Sequence, residues 1–378
     1  MRIAFHAPLK PPDASKPSGD RRMARLFIKA MKAKGHDVQL ASRLRTRDGL
    51  GDPKLQARLQ RTGGRLANRL IRRYKADGAW RPDIWFTYHL YYKAPDWIGP
   101  IVAEALNIPY VVAEASHAPK RANGPWKLGH RQVESALRRA DLVIGLNQRD
   151  RACVEHVLGS HSRYAGLRPF LEPREQADRP TARGEIADRH ALPTNTVWLL
   201  TVGMMRADAK LESYRVLAAA LARLEDKTRW RLIVIGDGPV RPLVEEALGP
   251  DTIFTGTLPG EQLADYYAAS DIFVWPSVRE AYGMALLEAQ TVGLPAVAGD
   301  SGGVSGILRD GETGLLCAEG DVAAFAAAVE RLITDDRVRL EMGQKARAVT
   351  ALDHGFRAAA NTIDGWLNEM LGVSGKDR

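Results

Sequence analysis

The chain reads as an α/β protein built from two doubly wound, Rossmann-like domains. Three observations point there. Short apolar runs alternate with amphipathic helical stretches in both halves, which argues for parallel sheets joined by helical crossovers. A length of 378 residues exceeds one compact α/β core and suits two domains. A charged stretch from Glu172 to Pro193, holding Pro173, Pro180 and Pro193, separates the two alternating patterns and is expected to be a linker. The expected domains are therefore 1–180 and 194–355, with 356–378 a terminal helix packing back toward the first lobe.

The elements follow in order. Ile3–Ala7 is a strand, and Arg21–Lys34 a helix with Met23, Phe27, Ala30 and Met31 on one face. Gly35 ends that helix before Val38–Ala41 resumes as strand. Further strands are expected at Ile84–Tyr88, Tyr110–Ala113 and Leu142–Leu146. The second half repeats the alternation: strand Val197–Val202, helix Leu211–Leu224, strand Trp230–Ile235, helix Pro239–Ala247, strand Ile253–Thr255. It continues with helix Glu261–Ala269, strand Ile272–Trp275, helix Gly283–Thr291 and strand Ala296–Ala298, then a mostly helical stretch from Asp321 to Leu371. Doubly wound domains take ligands at the carboxyl ends of their strands, and here the expected place is the cleft between the two.

Composition narrows the class. Apolar residues at 45% and charged residues at 26% describe a globular enzyme. The start, Met1-Arg-Ile-Ala-Phe-His, lacks the pattern of a secretion signal, and no apolar run nears the ~18–20 residues that span a bilayer. Cys153 and Cys317 fit neither a disulfide framework nor a metal-ligand spacing, so a cytoplasmic protein without structural metal is expected. Between Arg43 and Lys75 eleven Lys/Arg face two Asp, a local +9 that equals the whole chain's excess. Lys54, Arg58, Arg61, Arg65, Arg69 and Arg72 recur at helical spacing, flanked by Leu55, Leu59, Leu66 and Leu70. Gly63-Gly64 interrupts them, which leaves two helices or a loop open. Such a stripe is either a solvated face or attracted to an anionic membrane or phosphate-bearing acceptor, in which case the protein sits peripherally at the inner face of the plasma membrane. Nucleic acid is not the expected partner, because no aromatic residues interleave with the charges.

The chemistry concentrates in the second half. Ser277-Val-Arg-Glu280-Ala-Tyr-Gly283-Met-Ala-Leu-Leu-Glu288 follows a buried strand and opens a helix. Gly283 lets backbone approach a ligand, and the amides of Tyr282, Gly283 and Met284 face an anion at a helix amino terminus. Glu288 stands eight positions after Glu280, which puts both on one side of the chain. An ionised Glu288 suits a ribose diol, because a carboxylate accepts from two vicinal hydroxyls.

This segment resembles the E-x7-E motif of the family 4 glycosyltransferases. The resemblance extends through Ile235-Gly236-Asp-Gly-Pro239, Phe254-Thr-Gly256-Thr257-Leu258, Tyr266-Tyr267 to Pro276-Ser277, and Ser301-Gly302-Gly303 with Gly311 and Gly314. It runs nearly unbroken from Val197 to Leu316. It implies a two-lobed GT-B fold, transfer with retention of configuration, and a nucleotide-sugar donor such as a UDP- or GDP-sugar with no obligatory metal or other cofactor. It also implies site roles. Glu280 would hold the donor sugar, Glu288 the ribose, and Arg206 with Lys210 the diphosphate, with Gly203 and Gly236 among the donor-binding residues and Thr257 and Leu258 at the nucleobase. Two methionines separate Gly203 from Arg206, and Leu211 stands where the family has a glycine.

The first half departs further. Pro17-Ser-Gly19 stands where the family has a glycine-rich loop and keeps one glycine, whose amide would reach the donor phosphates. His117 would be the histidine near the reacting sugar, falling about two residues late, with Glu114 in part of that space; Lys120 and Arg121 follow it. The implied acceptor is a carbohydrate or lipid-linked hydroxyl. Two other functions share this pattern: a silent nucleotide-sugar-binding subunit, and a nucleotide-sugar epimerase.

Overall fold

The structure, a computed structural model, describes residues 1–15, 18–172 and 177–372. Pro17 of the first loop and Pro173 of the expected linker lie outside them. The chain forms two compact units, 1–170 with 356–378 and 171–355.

In the first unit the order is β1 Arg2–His6, α1 Gly19–Ala33, β2 Asp37–Ser42, α2 Pro53–Lys75, β3 Ile84–Leu90 and α3 Gly99–Leu106. It continues with β4 Tyr110–Ala115, α4 Lys127–Arg139, β5 Leu142–Gly145, α5 Arg151–Glu155 and β6 Arg163–Gly166. The six strands pair in parallel in the order β2-β1-β3-β4-β5-β6. Every residue of β4 is buried, as expected of a parallel strand covered on both faces. Phe27 of α1 packs its ring 5.5 Å from Phe86, 5.6 Å from Tyr88 and 5.5 Å from Phe170. A single buried carboxylate ties the sheet together. Asp96 meets His6 of β1 at 3.2 Å, accepts from Thr87 of β3 at 2.6 Å and from Tyr110 of β4 at 3.2 Å, and takes the Ile98 and Gly99 amides. Burial alone would raise its pKa, but the His6 ring and these donors hold it down at about 2.

The second unit runs α6 Arg179–His190, β7 Val197–Val202, α7 Ala209–Leu221, β8 Trp230–Ile235, α8 Arg241–Leu248, β9 Ile253–Gly256 and α9 Gly260–Ala269. Then come β10 Ile272–Trp275, α10 Met284–Thr291, β11 Ala296–Asp300, β12 Gly314–Ala318, α11 Val322–Thr334 and α12 Asp336–Asp353. Its sheet is also parallel, in the order β12-β11-β10-β7-β8-β9. The last helix, α13 Phe356–Met370, belongs to the first unit, where Asp364 meets His36 at 3.0 Å and Asn361 accepts from Lys34 at 3.1 Å.

Two sequence expectations are corrected. The stretch taken for a linker contains α6, and its prolines frame that helix: Pro180 sits in the first turn behind the Asp178 cap, and Pro193 follows the left-handed Ala191. Arg179 and Arg183 bind Asp271 of the same unit at 2.5 and 3.0 Å. The basic stretch is one helix, α2, unbroken at Gly63-Gly64. Its buried face carries Gln56, Gly63, Ala67, Leu70 and Tyr74. The cations Lys54, Arg58, Arg61, Arg65, Arg69 and Arg72 are all exposed, on the opposite side at 100° per residue. Gly63 is there for closeness, since a Cβ on it would lie 2.3 Å from the Trp97 Cβ, whereas one on Gly64 meets nothing.

The two glycines should therefore respond oppositely to alanine. Gly64→Ala should stabilise the protein by about 0.5–1 kcal/mol through helix propensity. Gly63→Ala should destabilise it by about 1–3 kcal/mol through overpacking. Urea denaturation of both variants checks this, and equal shifts would contradict the packing assigned to Trp97.

Candidate functional site

In the second unit β8 and β9 lie on one side of β7 and β10 to β12 on the other. The loops after β7 and β10 thus diverge at a topological switch point, where doubly wound sheets take their ligands. Lys210 stands in the first turn of α7, whose start is capped by Asp208 through the Lys210 amide at 3.0 Å. Its Nζ forms an ion pair with Glu280 from the β10 loop and lies 4.9 Å from the Trp275 ring centre. The same Glu280 carboxylate accepts from the Trp275 indole N–H at 3.2 Å. Tyr214 sets its ring edge-on to Trp275 at 5.1 Å, and its hydroxyl donates to the Gly203 carbonyl at 2.9 Å.

The backbone reaches Glu280 through strain. Ser277 and Arg279 both take left-handed conformations, φ 57° and 48°, each costing about 1–3 kcal/mol for a residue other than glycine. Surrounding bonds hold them. The Val278 amide donates to Ser213 Oγ at 3.0 Å, the Arg279 amide to Glu319 at 3.1 Å, and buried Ser277 to the Trp275 carbonyl at 3.1 Å.

The glycine motifs around the site are places where backbone meets backbone. A Cβ on Gly236 would fall 1.9 Å from the Gly203 carbonyl oxygen, one on Gly238 2.1 Å from that of Met205, and one on Gly302 1.7 Å from that of Glu280. Loops after β7, β8, β10 and β11 are thereby stacked along one edge. Gly283 caps α10 with φ 79°, and among the described residues no side chain caps that helix, which leaves its first amides available to an anion. Tyr282 is half-buried, its hydroxyl buried without a hydrogen-bond partner among the described residues. Met284 opens α10.

The remaining candidates are placed as follows. Arg206 is half-exposed on the β7 loop, its Nε 3.2 Å from Asp208. Glu288 is buried in α10 and lines a small pocket with Leu171, Glu172, Ala264, Tyr267 and Thr291; its neighbours differ from those of Glu280. Thr257 and Leu258 follow the edge strand β9, and Gly19 is the first residue of α1. His117, two residues past β4, is buried with its ring centre 4.9 Å from that of His130 on α4. Burial and that second ring lower its pKa.

Sequence reasoning named Glu114 but missed the strained acid–base cluster around it. His89 at the end of β3 and Glu114 near the end of β4 take φ 64° and 62°. Asp20 of α1 bonds the His89 ring at 2.5 Å. Burial alone would lower the His89 pKa, but the bond and charge of Asp20 raise it. Burial also pushes Glu114 up to about 8, opposed by His89 and assisted by Asp150. The signal available was polar residues closing otherwise apolar strands, Tyr-His-Leu and Ala-Glu-Ala.

Residues 196–335 match the family model "Glycosyl transferases group 1". Sulfoquinovosyl transferase SQD2 of Arabidopsis thaliana is 35% identical over 169 residues, 44% of this chain and 32% of that protein. A GDP-mannose-dependent alpha-mannosyltransferase of Corynebacterium glutamicum is 38% identical over 122 residues, 32% of this chain and 29% of that protein. The chain thus matches about a third of either relative's length. Sucrose-phosphate synthase from Thermosynechococcus elongatus superposes with a TM-score of 0.76 at 20% identity, covering 99% of this chain and 100% of that one. The fold is of the α/β GT-B type, with two Rossmann-like domains.

Glu114 gives a pH test. Its folded pKa of about 8 stands above the ordinary 4.5, so the folded state keeps a proton that the unfolded chain releases. Stability should fall as pH rises from about 4.5 to 8, by at most about 1.4 kcal/mol per pH unit from this group. Glu114→Gln should flatten that decline in urea melts at pH 5 and 8. An identical slope in the variant would show that Glu114 ionises normally.

Proposed function

We propose that the chain is a retaining glycosyltransferase of the family 4 type, moving a sugar from a nucleoside-diphosphate sugar to an acceptor hydroxyl. One observation carries this reading: the Lys210–Glu280 pair at the switch point of the second sheet, beside the uncapped start of α10. The match of residues 196–335 to glycosyl transferases group 1 supports it.

In this reading the pair keeps both charges compensated until the donor arrives. Lys210, Arg206 and the amides of Gly283 and Met284 then take the diphosphate, and Glu280 takes hydroxyls of the donor sugar. Glu288 takes the ribose, and Thr257 and Leu258 flank the base. The bond between the anomeric carbon and the phosphate oxygen breaks. The acceptor oxygen bonds to that carbon on the same face, and its proton passes to the departing phosphate. The leaving group gains negative charge as this happens, and fixed cations stabilise it there. No protein nucleophile and no metal enter these steps.

The exposed stripe of α2 supports a reading of where the acceptor is found. Among the described residues none of its six cations pairs with a carboxylate, and none of the helices is long and apolar enough to cross a membrane. We infer peripheral attachment to an anionic lipid surface, with a lipid or lipid-linked sugar as acceptor.

Two experiments test these proposals. Purified protein incubated with UDP-, GDP- and ADP-sugars should hydrolyse one of them slowly with the anomeric configuration kept. Arg206→Ala should lower turnover more than it raises the apparent donor constant, because its charge acts as the diphosphate departs. Donor binding without any turnover would favour a silent subunit, and interconversion of the sugar an epimerase. For the stripe, the protein should sediment with vesicles rich in anionic lipid and not with neutral ones. Each cation contributes about 1 kcal/mol there, and binding should fade as the Debye length falls from ~10 Å at 0.1 M salt to ~3 Å at 1 M. Replacing Arg58, Arg61, Arg65 and Arg69 by Gln should abolish sedimentation and spare donor hydrolysis. No sedimentation at low salt would defeat attachment.

A further inference from the structure

The buried histidines of the first unit call for an explanation that donor chemistry does not supply. His117 is 7% exposed and His130 2%. All four of their ring nitrogens are buried, and among the described residues none has a partner in good hydrogen-bond geometry, the Glu134 carboxylate and the Cys153 backbone being the groups that approach His117. A neutral imidazole carries one N–H and one acceptor nitrogen, so the His130 ring leaves both unmet and His117 is served only by those loose approaches. Native proteins rarely tolerate that without a bound ion or water.

Glu134 completes the cluster. It lies one turn beyond His130 on α4, and its carboxylate oxygens stand 3.4 Å from His117 Nε2 and 3.9 Å from His130 Nδ1. The first is at the edge of hydrogen-bond reach and the second beyond it. One ligand atom from each of the three residues lies within 4.8 Å of the others. Four-coordinate zinc, with bonds near ~2.0–2.1 Å to nitrogen and oxygen, separates its ligand atoms by about 3.4 Å.

We propose that His117, His130 and Glu134 bind one divalent transition-metal ion of the zinc class. Two imidazoles and one carboxylate suit zinc in chemistry and number, with solvent in the fourth position. The Glu134 side chain, 28% exposed, leaves that position a route to water. The ion would join the end of β4 to α4 and so fix both ends of the segment 118–126, whose Lys120 and Arg121 the sequence singled out. The site lies within the first unit, and its test does not read donor hydrolysis.

Metal-stripped full-length protein should be dialysed against Zn2+ and, separately, Co2+, and the bound metal counted. The expected result is one ion per chain, visible absorption typical of four-coordinate cobalt, and a higher melting temperature with zinc. His130→Gln should lose the bound ion and the thermal shift. Glu134→Gln changes a partly exposed residue and should fold even where His130→Gln does not; it should weaken zinc by at least about tenfold, as loss of even outer-sphere partners does. Failure of the stripped protein to take up zinc would overturn the proposal. So would equal zinc affinity in wild type and Glu134→Gln.

Discussion

The second unit depends on backbone running against backbone at the carboxyl edge of its sheet. At Gly236, Gly238, Gly299 and Gly302 a side chain would overlap a carbonyl oxygen of the neighbouring loop, at 1.7 to 2.1 Å. These oxygens belong to Gly203, Met205, Pro276 and Glu280, so the contacts follow the very loops that carry Arg206 and Glu280. Removing side chains here lets four loops stack without a layer of packing between them. The charged groups then sit on rigid main chain rather than on a deformable interface. A motif such as Gly-Asp-Gly-Pro is thus a spacing device first, and its contribution to a ligand follows from the distances it permits.

Both units also hold non-glycine residues in left-handed conformations at the carboxyl ends of strands. His89 and Glu114 do so in the first, Ser277 and Arg279 in the second. Such geometry persists only where neighbouring bonds over-determine it. Asp20 does this for His89, and Ser213 and Glu319 do it for the segment leading to Glu280. The strain turns a side chain away from the direction a regular strand would give it.

Much of the fold was legible because parallel strands buried on both faces are written as unbroken apolar runs. Val197–Val202, Trp230–Ile235 and Ile272–Trp275 stand in the structure where their residues put them. Strands β6 and β12 were not legible: Arg-Tyr-Ala-Gly and Gly-Leu-Leu-Cys-Ala are short edge strands, with little apolar length to mark them. Helix α6 was hidden by prolines, which read as breaks although a proline in a first turn gives up no helical bond. Gly63-Gly64 misled in the same way, because only the tertiary approach of Trp97 explains the first of them. In the site, Glu280 and Lys210 could be named from an ordered motif. The His117–His130–Glu134 group could not, since thirteen residues and a loop separate its first two members and only packing of α4 beside β4 unites them.

The chain passes from the first unit to the second at residue 170 and returns at 355, and the two passages lie together, the Leu171 amide donating to the His354 carbonyl at 3.0 Å. Only after that return does α13 reach α1. During synthesis, then, the ribosome delivers every residue of the inserted unit before it delivers the helix that completes the first. The nascent first unit must wait with the α1 surface bare of its final partner, while the inserted unit, continuous in sequence, is free to fold as it emerges. Biogenesis therefore runs inside-out along this polypeptide, and the opening segment is the last to be finished.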